Sequence, residues 1–152
     1  MVEIQGYEKE MNIPFMLFRY KDRWCVMVRN ASGAWCGYVQ LYEDHDWLNK
    51  TYSDINYILS EEGKSVHGAI TFKGKIDLSA LLTGETSNSV FIGFDCAHIF
   101  DIKPLNTSIE IKILTRILEQ EPDDQHPTYK DIPYVMEECI ELAEYMIASY
   151  KK

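Results

Sequence analysis

The most constraining feature of the sequence is an amphipathic pattern close to its C-terminal end. From Asp131 onward, apolar residues recur every three or four positions, which is the spacing of one face of an α-helix. Asp131 is a suitable N-cap, and Pro133 is tolerated because it falls in the first turn. A helix with one continuous apolar stripe has to pack on another layer of secondary structure. The stripe consists of Ile132, Val135, Met136, Cys139, Leu142, Ala143, Met146, Ile147 and Tyr150. The opposite face of the helix carries Glu137, Glu138, Glu141 and Glu144.

The layer that this helix needs is predicted by five segments rich in aromatic and β-branched residues. They are residues 15–20, 23–29, 34–41, 65–72 and 90–96. Together they predict an α+β fold in a single domain, residues 1–152, with an antiparallel sheet of about five strands packed against the long C-terminal helix. Residues 107–119 fit both a strand and a helix pattern, and a helical turn is predicted at 78–82 within a loop.

A register for the second and third strands follows if Arg29 pairs with Ala34 across the turn at Asn30. It predicts one face with Trp24, Val26, Val28, Trp35 and Val39, and the other with Cys25, Met27, Cys36 and Tyr38. Since both faces are apolar, we expect the sheet to be covered on both sides or to meet a partner, which favours a homo-oligomer. Cys25 would face Tyr38 rather than Cys36, so a disulfide between these strands is not predicted.

Charge and composition limit the classes of molecule that the protein is expected to bind. The formal net charge is −9, and Lys and Arg do not cluster except at Lys151 and Lys152. Long nucleic acids and anionic membranes are therefore poor partners, whereas a small anionic ligand could still bind a single Arg. No apolar run is long enough to span a bilayer, and the N-terminus does not resemble a signal peptide. The four cysteines, none in a C-x-x-C pair, suit reduced thiols and a cytoplasmic protein.

The best lead to a function is the run VFIGFDCAHIFD, residues 90–101, in which an apolar strand ends in Asp95, Cys96 and His98. Cys96 and His98 could hold zinc with His67 or Cys36, but the spacing matches no zinc signature, so no metal site is predicted. The same groups could supply a nucleophile, a base and a carboxylate for a hydrolase. No nucleophile elbow or phosphate loop accompanies them, and whether the protein is an enzyme stays open.

A binding pocket is the third interpretation of these residues. Aromatic side chains with a few donors are what nucleobase-type ligands need, and most aromatic residues in any domain belong to the core. Trp47 and Tyr52 lie in a polar segment, which favours exposure over burial. His126 lies in an acidic loop, where solvation is expected.

Several short motifs follow one another along the chain: WCGYV at residues 35–39, VHG at residues 66–68 and GFDCAH at residues 93–98, then Asp101 and a helix led by a tyrosine. Their order resembles a family of small uncharacterised proteins encoded by phages and prophages. Asp46 stands where the family pattern has a proline, and residues 1–30 find no match. The resemblance implies a phage context and one site, expected to bind a ligand through Tyr38, His45, Trp47, His67, Asp95, Cys96, His98 and Asp101.

In a phage context, a small acidic protein without a catalytic motif is expected to act on host defence. The favoured function is therefore a cytoplasmic protein of the host cell that binds a small anionic or nucleotide-like ligand, sequestering a nucleotide-derived immune signal without a cofactor. A metal-dependent or cysteine hydrolase that uses the cluster of His67, Asp95, Cys96 and His98 is the first alternative. The second is an inhibitor that mimics nucleic acid through the glutamates of the last helix.

Overall fold

An antiparallel sheet with helices on one face forms the described part of the chain. The computed structural model describes residues 9–78, 89–98, 101, 103 and 128–150. The sheet has five strands in the order β1-β2-β3-β5-β4, which confirms the predicted α+β class. The elements are β1 Phe15–Tyr20, β2 Arg23–Arg29, β3 Trp35–Gln40, a 3-10 turn Asp46–Asn49, α1 Tyr52–Glu61, β4 Phe72–Lys75, β5 Val90–Asp95 and α2 Ile132–Ser149.

The C-terminal helix is the element that the sequence predicts best. Asp131 caps α2 by accepting a hydrogen bond from the Tyr134 backbone N–H at 3.0 Å, and Pro133 lies in the first turn. The helix contacts β3 and β2, and the side chains of its apolar stripe form the main core with one face of the sheet. The fully buried members are Val135, Cys139, Leu142, Ala143 and Met146.

Close packing of α2 on the sheet depends on Gly37 in the middle of β3. A Cβ atom at this position would lie 2.7 Å from the Cys139 Sγ atom and 2.7 Å from Cζ of Phe94. Real Cβ atoms essentially never approach other atoms this closely, so the helix sits where only glycine leaves room for it.

The predicted register of β2 and β3 is wrong by one residue. Arg29 pairs with Trp35 rather than with Ala34, so five residues form the connecting loop. The Asn30 side chain organises this loop by accepting hydrogen bonds from the backbone of Ser32 and of Ala34.

A slip of one residue moves every side chain of a strand to the opposite face. Trp35 and Val39 of β3 therefore lie with Cys25 and Met27 in the helix-covered core. Cys36 and Tyr38 lie on the second face of the sheet, where Val26, Leu78 and Phe91 form a smaller cluster. Cys25 faces Val39, and all four cysteines are free and buried.

The predicted strand at 65–72 is also wrong, because β4 begins only at Phe72. Gly68 and Ala69 both have positive φ angles, 65° and 70°, which turn the chain instead of extending it. The Asn56 side chain replaces a strand partner, since it donates to the Ile70 carbonyl and accepts from the Ile70 N–H.

Helix α1 was not predicted from the sequence. Thr51 and Asp54 form a reciprocal capping box at its start, and Ile55 and Leu59 are buried in the main core. The segments predicted at 78–82 and 107–119, and the loop with His126, lie wholly or mostly outside the described residues.

Candidate functional site

The Asp101 carboxylate is the centre of a polar cluster at the end of β5. Its side chain is 1% exposed, and Oδ2 accepts hydrogen bonds from the His67 imidazole at 2.7 Å and from the His98 backbone N–H at 3.0 Å. The Lys130 ammonium lies 3.1 Å from Oδ1. Burial alone would raise the pKa of Asp101, but these hydrogen bonds and charges outweigh burial and hold the pKa below its usual value. Asp101 is therefore ionised at neutral pH.

His67 connects this carboxylate to a tyrosine of α2. In the tautomer whose Nε2 donates to Asp101, Nδ1 is the acceptor, and it lies 2.7 Å from the Tyr134 hydroxyl. The His67 backbone N–H donates to Oε1 of Glu138 at 2.7 Å, which fixes the turn against the helix. We call Asp101, His67 and Tyr134 the relay.

The turn at Gly68 brings a second imidazole beside the first. The rings of His67 and His98 have centroids 5.8 Å apart. A Cβ atom on Gly68 would lie 2.1 Å from Nε2 of His98, so the His98 ring packs directly against the glycine backbone. Ala69 keeps its left-handed conformation beside this contact, a strain of about 1–2 kcal/mol that the surrounding structure has to offset.

Asp95 lies at the end of β5 and points to the second face of the sheet. Its Oδ1 accepts from the Ala97 backbone N–H at 3.1 Å, and its Oδ2 accepts from the Thr71 hydroxyl at 3.2 Å. Nε2 of His98 approaches Oδ1 to 3.3 Å without forming a hydrogen bond, and this nitrogen has no hydrogen-bond partner among the described residues.

An open groove of about 560 Å³ runs along the sheet beside Asp95. The rings of Tyr38 and Phe72 meet edge to face beside it, with centroids 5.1 Å apart. Burial raises the pKa of Tyr38 to about 12, so its hydroxyl is protonated and can donate. The groove is lined by Asn30, Cys36, Tyr38, Thr71, Phe72, Phe94, Asp95, Ala97 and His98.

Cys96 does not reach the groove, although it follows Asp95 in the chain. Successive side chains of a strand point to opposite faces, and Cys96 is 1% exposed within the core under α2. Burial raises the pKa of its thiol well above the usual range, which keeps it protonated. A cysteine nucleophile at this position is therefore not supported.

His45 and Trp47, which were predicted to belong to the site, lie elsewhere in the core. Nδ1 of His45 accepts from the Trp47 backbone N–H at 3.0 Å, and Nε2 donates to the Met146 carbonyl at 2.8 Å. Burial lowers the pKa of His45, so the ring is neutral and caps the 3-10 turn. Trp47 is 2% exposed, whereas Tyr52 is exposed as predicted. The polar neighbours of Trp47 gave no indication that this turn packs inward.

Sequence reasoning missed Tyr134, Lys130 and Glu138 as parts of the cluster. Glu138 was expected on the solvent-exposed face of α2. Instead, burial raises the pKa of Glu138, and its carboxylate accepts a hydrogen bond from the His67 backbone N–H. A usable signal was the position of Tyr134 on the glutamate side of the helix, in its first turn and three residues after the N-cap Asp131.

A second buried polar network, also missed, joins the N-terminal segment to α2. Oε1 of Glu10 accepts from the Trp35 indole N–H at 3.1 Å and from the Tyr129 hydroxyl at 2.6 Å. Its Oε2 accepts from the Ile132 N–H at 2.8 Å. Arg29 stacks over the Trp35 ring at 4.2 Å. All of these partners lie within the protein, which is typical of a structural network.

Comparison with known proteins adds no relative: no protein-family model, curated protein or solved structure matches the chain. Among the described residues, no group of three or more His, Cys, Asp or Glu side chains is placed to hold a metal ion. The helices of the described segments are all too short or too polar to cross a membrane.

Proposed function

We propose that the protein binds a small nucleoside-like ligand in the groove between Tyr38, Phe72 and Asp95. The observation that carries the proposal is the combination of an aromatic wall with a fixed carboxylate at its end. Aromatic rings bind flat ligands by stacking, and a few placed polar groups select among them.

The Asp95 carboxylate supports a nucleobase rather than a phosphate as the group in the groove. An ionised carboxylate has about four acceptor sites, and Asp95 uses one on each oxygen for Ala97 and Thr71. The remaining sites suit the N–H groups of a base edge, whereas a phosphate beside Asp95 would be repelled. The expectation of a small anionic ligand is thus refined: any phosphate would have to extend away from Asp95.

The phage context implied by the resemblance supports a narrower proposal, in which the ligand is a nucleotide-derived immune signal of the host and is sequestered unchanged. A nucleic-acid mimic is less well supported. Glu138 and Glu144, two of the four glutamates on which that idea depends, accept hydrogen bonds from His67 and Tyr20 within the chain.

The test is calorimetric titration of the purified protein with a panel of nucleosides and cyclic nucleotides. Asp95→Asn should weaken the binding of the best ligand by about tenfold or more, which corresponds to about 1.4 kcal/mol. Asp22→Asn is the matched control, because it removes the same charge from an exposed turn at the far end of β2. Equal affinity of the two variants, or no binding by any member of the panel, would refute the proposal.

The same samples show whether the ligand is only sequestered or is also chemically converted by the protein. Ligand recovered from the complex after denaturation should have its original mass. A chemically altered ligand would contradict sequestration while leaving the binding site in place.

A further inference from the structure

The relay has the connectivity of a nucleophile, a base and an orienting carboxylate. A protonated hydroxyl, on Tyr134, lies 2.7 Å from one imidazole nitrogen of His67, and the other nitrogen donates to Asp101 at 2.7 Å. The carboxylate is buried, while Tyr134 is 37% exposed. A hydroxyl that is reachable from solvent and held on an oriented imidazole is the arrangement that activates a weak nucleophile.

We propose that Tyr134 is a nucleophile for uncharged acyl esters, with His67 as its general base and Asp101 as the residue that positions the imidazole. This activity goes beyond binding in the groove and does not depend on the ligand that the groove accepts. None of the cysteines is needed, since all four thiols are buried.

The Tyr134 hydroxyl needs a base because it does not ionise by itself at neutral pH. Burial and the neighbouring Glu138 carboxylate raise the pKa of Tyr134 to about 12. An adjacent imidazole removes the proton only as the new bond forms, and such general-base assistance contributes about 100-fold or more to rate.

The surroundings favour an uncharged substrate over a phosphate ester. Two carboxylates are hydrogen-bonded to His67: Asp101 to the imidazole Nε2 and Glu138 to the backbone N–H. Lys130 lies 5.7 Å from the Tyr134 ring centroid, and its charge is directed to Asp101 at 3.1 Å. An approaching anion would meet more negative than positive charge.

The proposed step is an acyl transfer. The Tyr134 oxygen attacks the ester carbonyl carbon, and its proton passes to Nδ1 of His67. The C–O bond to the leaving group then breaks and His67 returns the proton to the departing oxygen, which gives an aryl ester on Tyr134 and a free alcohol or phenol. In a second step water attacks this ester and gives a proton to His67, which passes it to the departing Tyr134 oxygen, so that a carboxylic acid is released and Tyr134 is regenerated.

The experiment treats the full chain with 4-nitrophenyl acetate and follows both 4-nitrophenolate release and acetylated tyrosines by peptide mass spectrometry. We expect an initial release of one equivalent and acetyl on Tyr134. Tyr57 is the internal control: it is 67% exposed, and no described residue forms a hydrogen bond or ion pair with it. Acetylation of Tyr134 should exceed that of Tyr57 by about 100-fold.

His67→Gln should reduce the acetylation of Tyr134 to the level of Tyr57. Tyr134→Phe should remove the initial release of 4-nitrophenolate while circular dichroism stays unchanged. Equal labelling of Tyr134 and Tyr57 in the wild-type protein would overturn the proposal, whatever the variants do. So would unchanged labelling in folded His67→Gln. The groove proposal would survive either result, because its readout is the affinity of Asp95 variants.

Discussion

Replacing Gly37 with alanine tests how tightly α2 is packed on the sheet. The new methyl group would lie 2.7 Å from the Cys139 Sγ atom and 2.7 Å from Cζ of Phe94, both fully or almost fully buried. Gly37 itself is buried and its φ angle lies outside the left-handed region, so the substitution adds a clash without backbone strain.

The expected cost follows from what has to move. Neither the ring of Phe94 nor the thiol of Cys139 can swing into solvent, so the helix or the strand has to shift. Insertion of one extra carbon into a well-packed core costs about 1–3 kcal/mol. For a protein of 152 residues this corresponds to a decrease in Tm of about 2–12 °C.

The assay is urea unfolding followed by tryptophan fluorescence, since the buried Trp35 and Trp47 report on the same core. In Gly37→Ala the urea concentration at the midpoint of unfolding should fall, while the slope of the unfolding free energy against urea concentration stays unchanged. A second variant, Cys139→Ala, removes the sulfur atom that the methyl would meet.

The double variant with both substitutions distinguishes a steric clash with Cys139 from other causes of lost stability. If the clash with Cys139 is real, the double variant should be more stable than the sum of the two single changes by about 0.5 kcal/mol or more. Wild-type stability of Gly37→Ala, or strict additivity, would refute the close packing of α2 described above.

Three further outcomes are expected. Asp101 has a lowered pKa, so it stabilises the fold above the pKa of an unfolded aspartate, about 3.9, and this contribution is lost as pH falls through the lower folded value. The stability difference between wild type and Asp101→Asn in urea should therefore narrow at acidic pH, and a constant difference would contradict the ionised carboxylate. Gly68→Ala should lower the melting temperature more than Gly63→Ala: both glycines have positive φ, but only at Gly68 would a Cβ meet His98, and equal decreases would exclude that contact. Leu142→Asp should abolish the cooperative unfolding transition measured by circular dichroism, because Leu142 is fully buried, and a wild-type transition would mean that α2 does not dock.

Local periodicity made most of the fold predictable. The spacing of apolar residues identifies α2 and its cap, and the aromatic and β-branched runs identify β1, β2, β3 and β5. The register of β3 was not predictable in this way, because it depends on the Asn30 side chain, which closes a loop of five residues. The prediction of a strand at 65–72 was wrong for a related reason, since two residues in the left-handed conformation interrupt an otherwise strand-like pattern.

The candidate site was predictable where its residues are neighbours in sequence. Asp95, His98 and Asp101 follow one another at the end of β5, and the structure brings His67 to them. Tyr134 and Lys130 come from a distant part of the chain, and only tertiary packing brings them there. His45 and Trp47 were wrongly assigned to the site. A polar sequence environment does not reveal that this turn packs into the core, where the His45 ring forms its hydrogen bonds with backbone groups.

The position of β5 in the sheet has a consequence for the order in which the molecule assembles. β1, β2 and β3 form two hairpins whose pairing is local, so they can close early. β5 inserts between β3 and β4, and its pairing with β3 closes a long loop of chain. Tyr134 lies 67 residues after His67 in the sequence, so the relay also forms only through non-local contacts. A nascent or partly unfolded chain can hold the meander of β1 to β3 and still lack the entire cluster, so the chemistry of the cluster belongs to the completed fold alone.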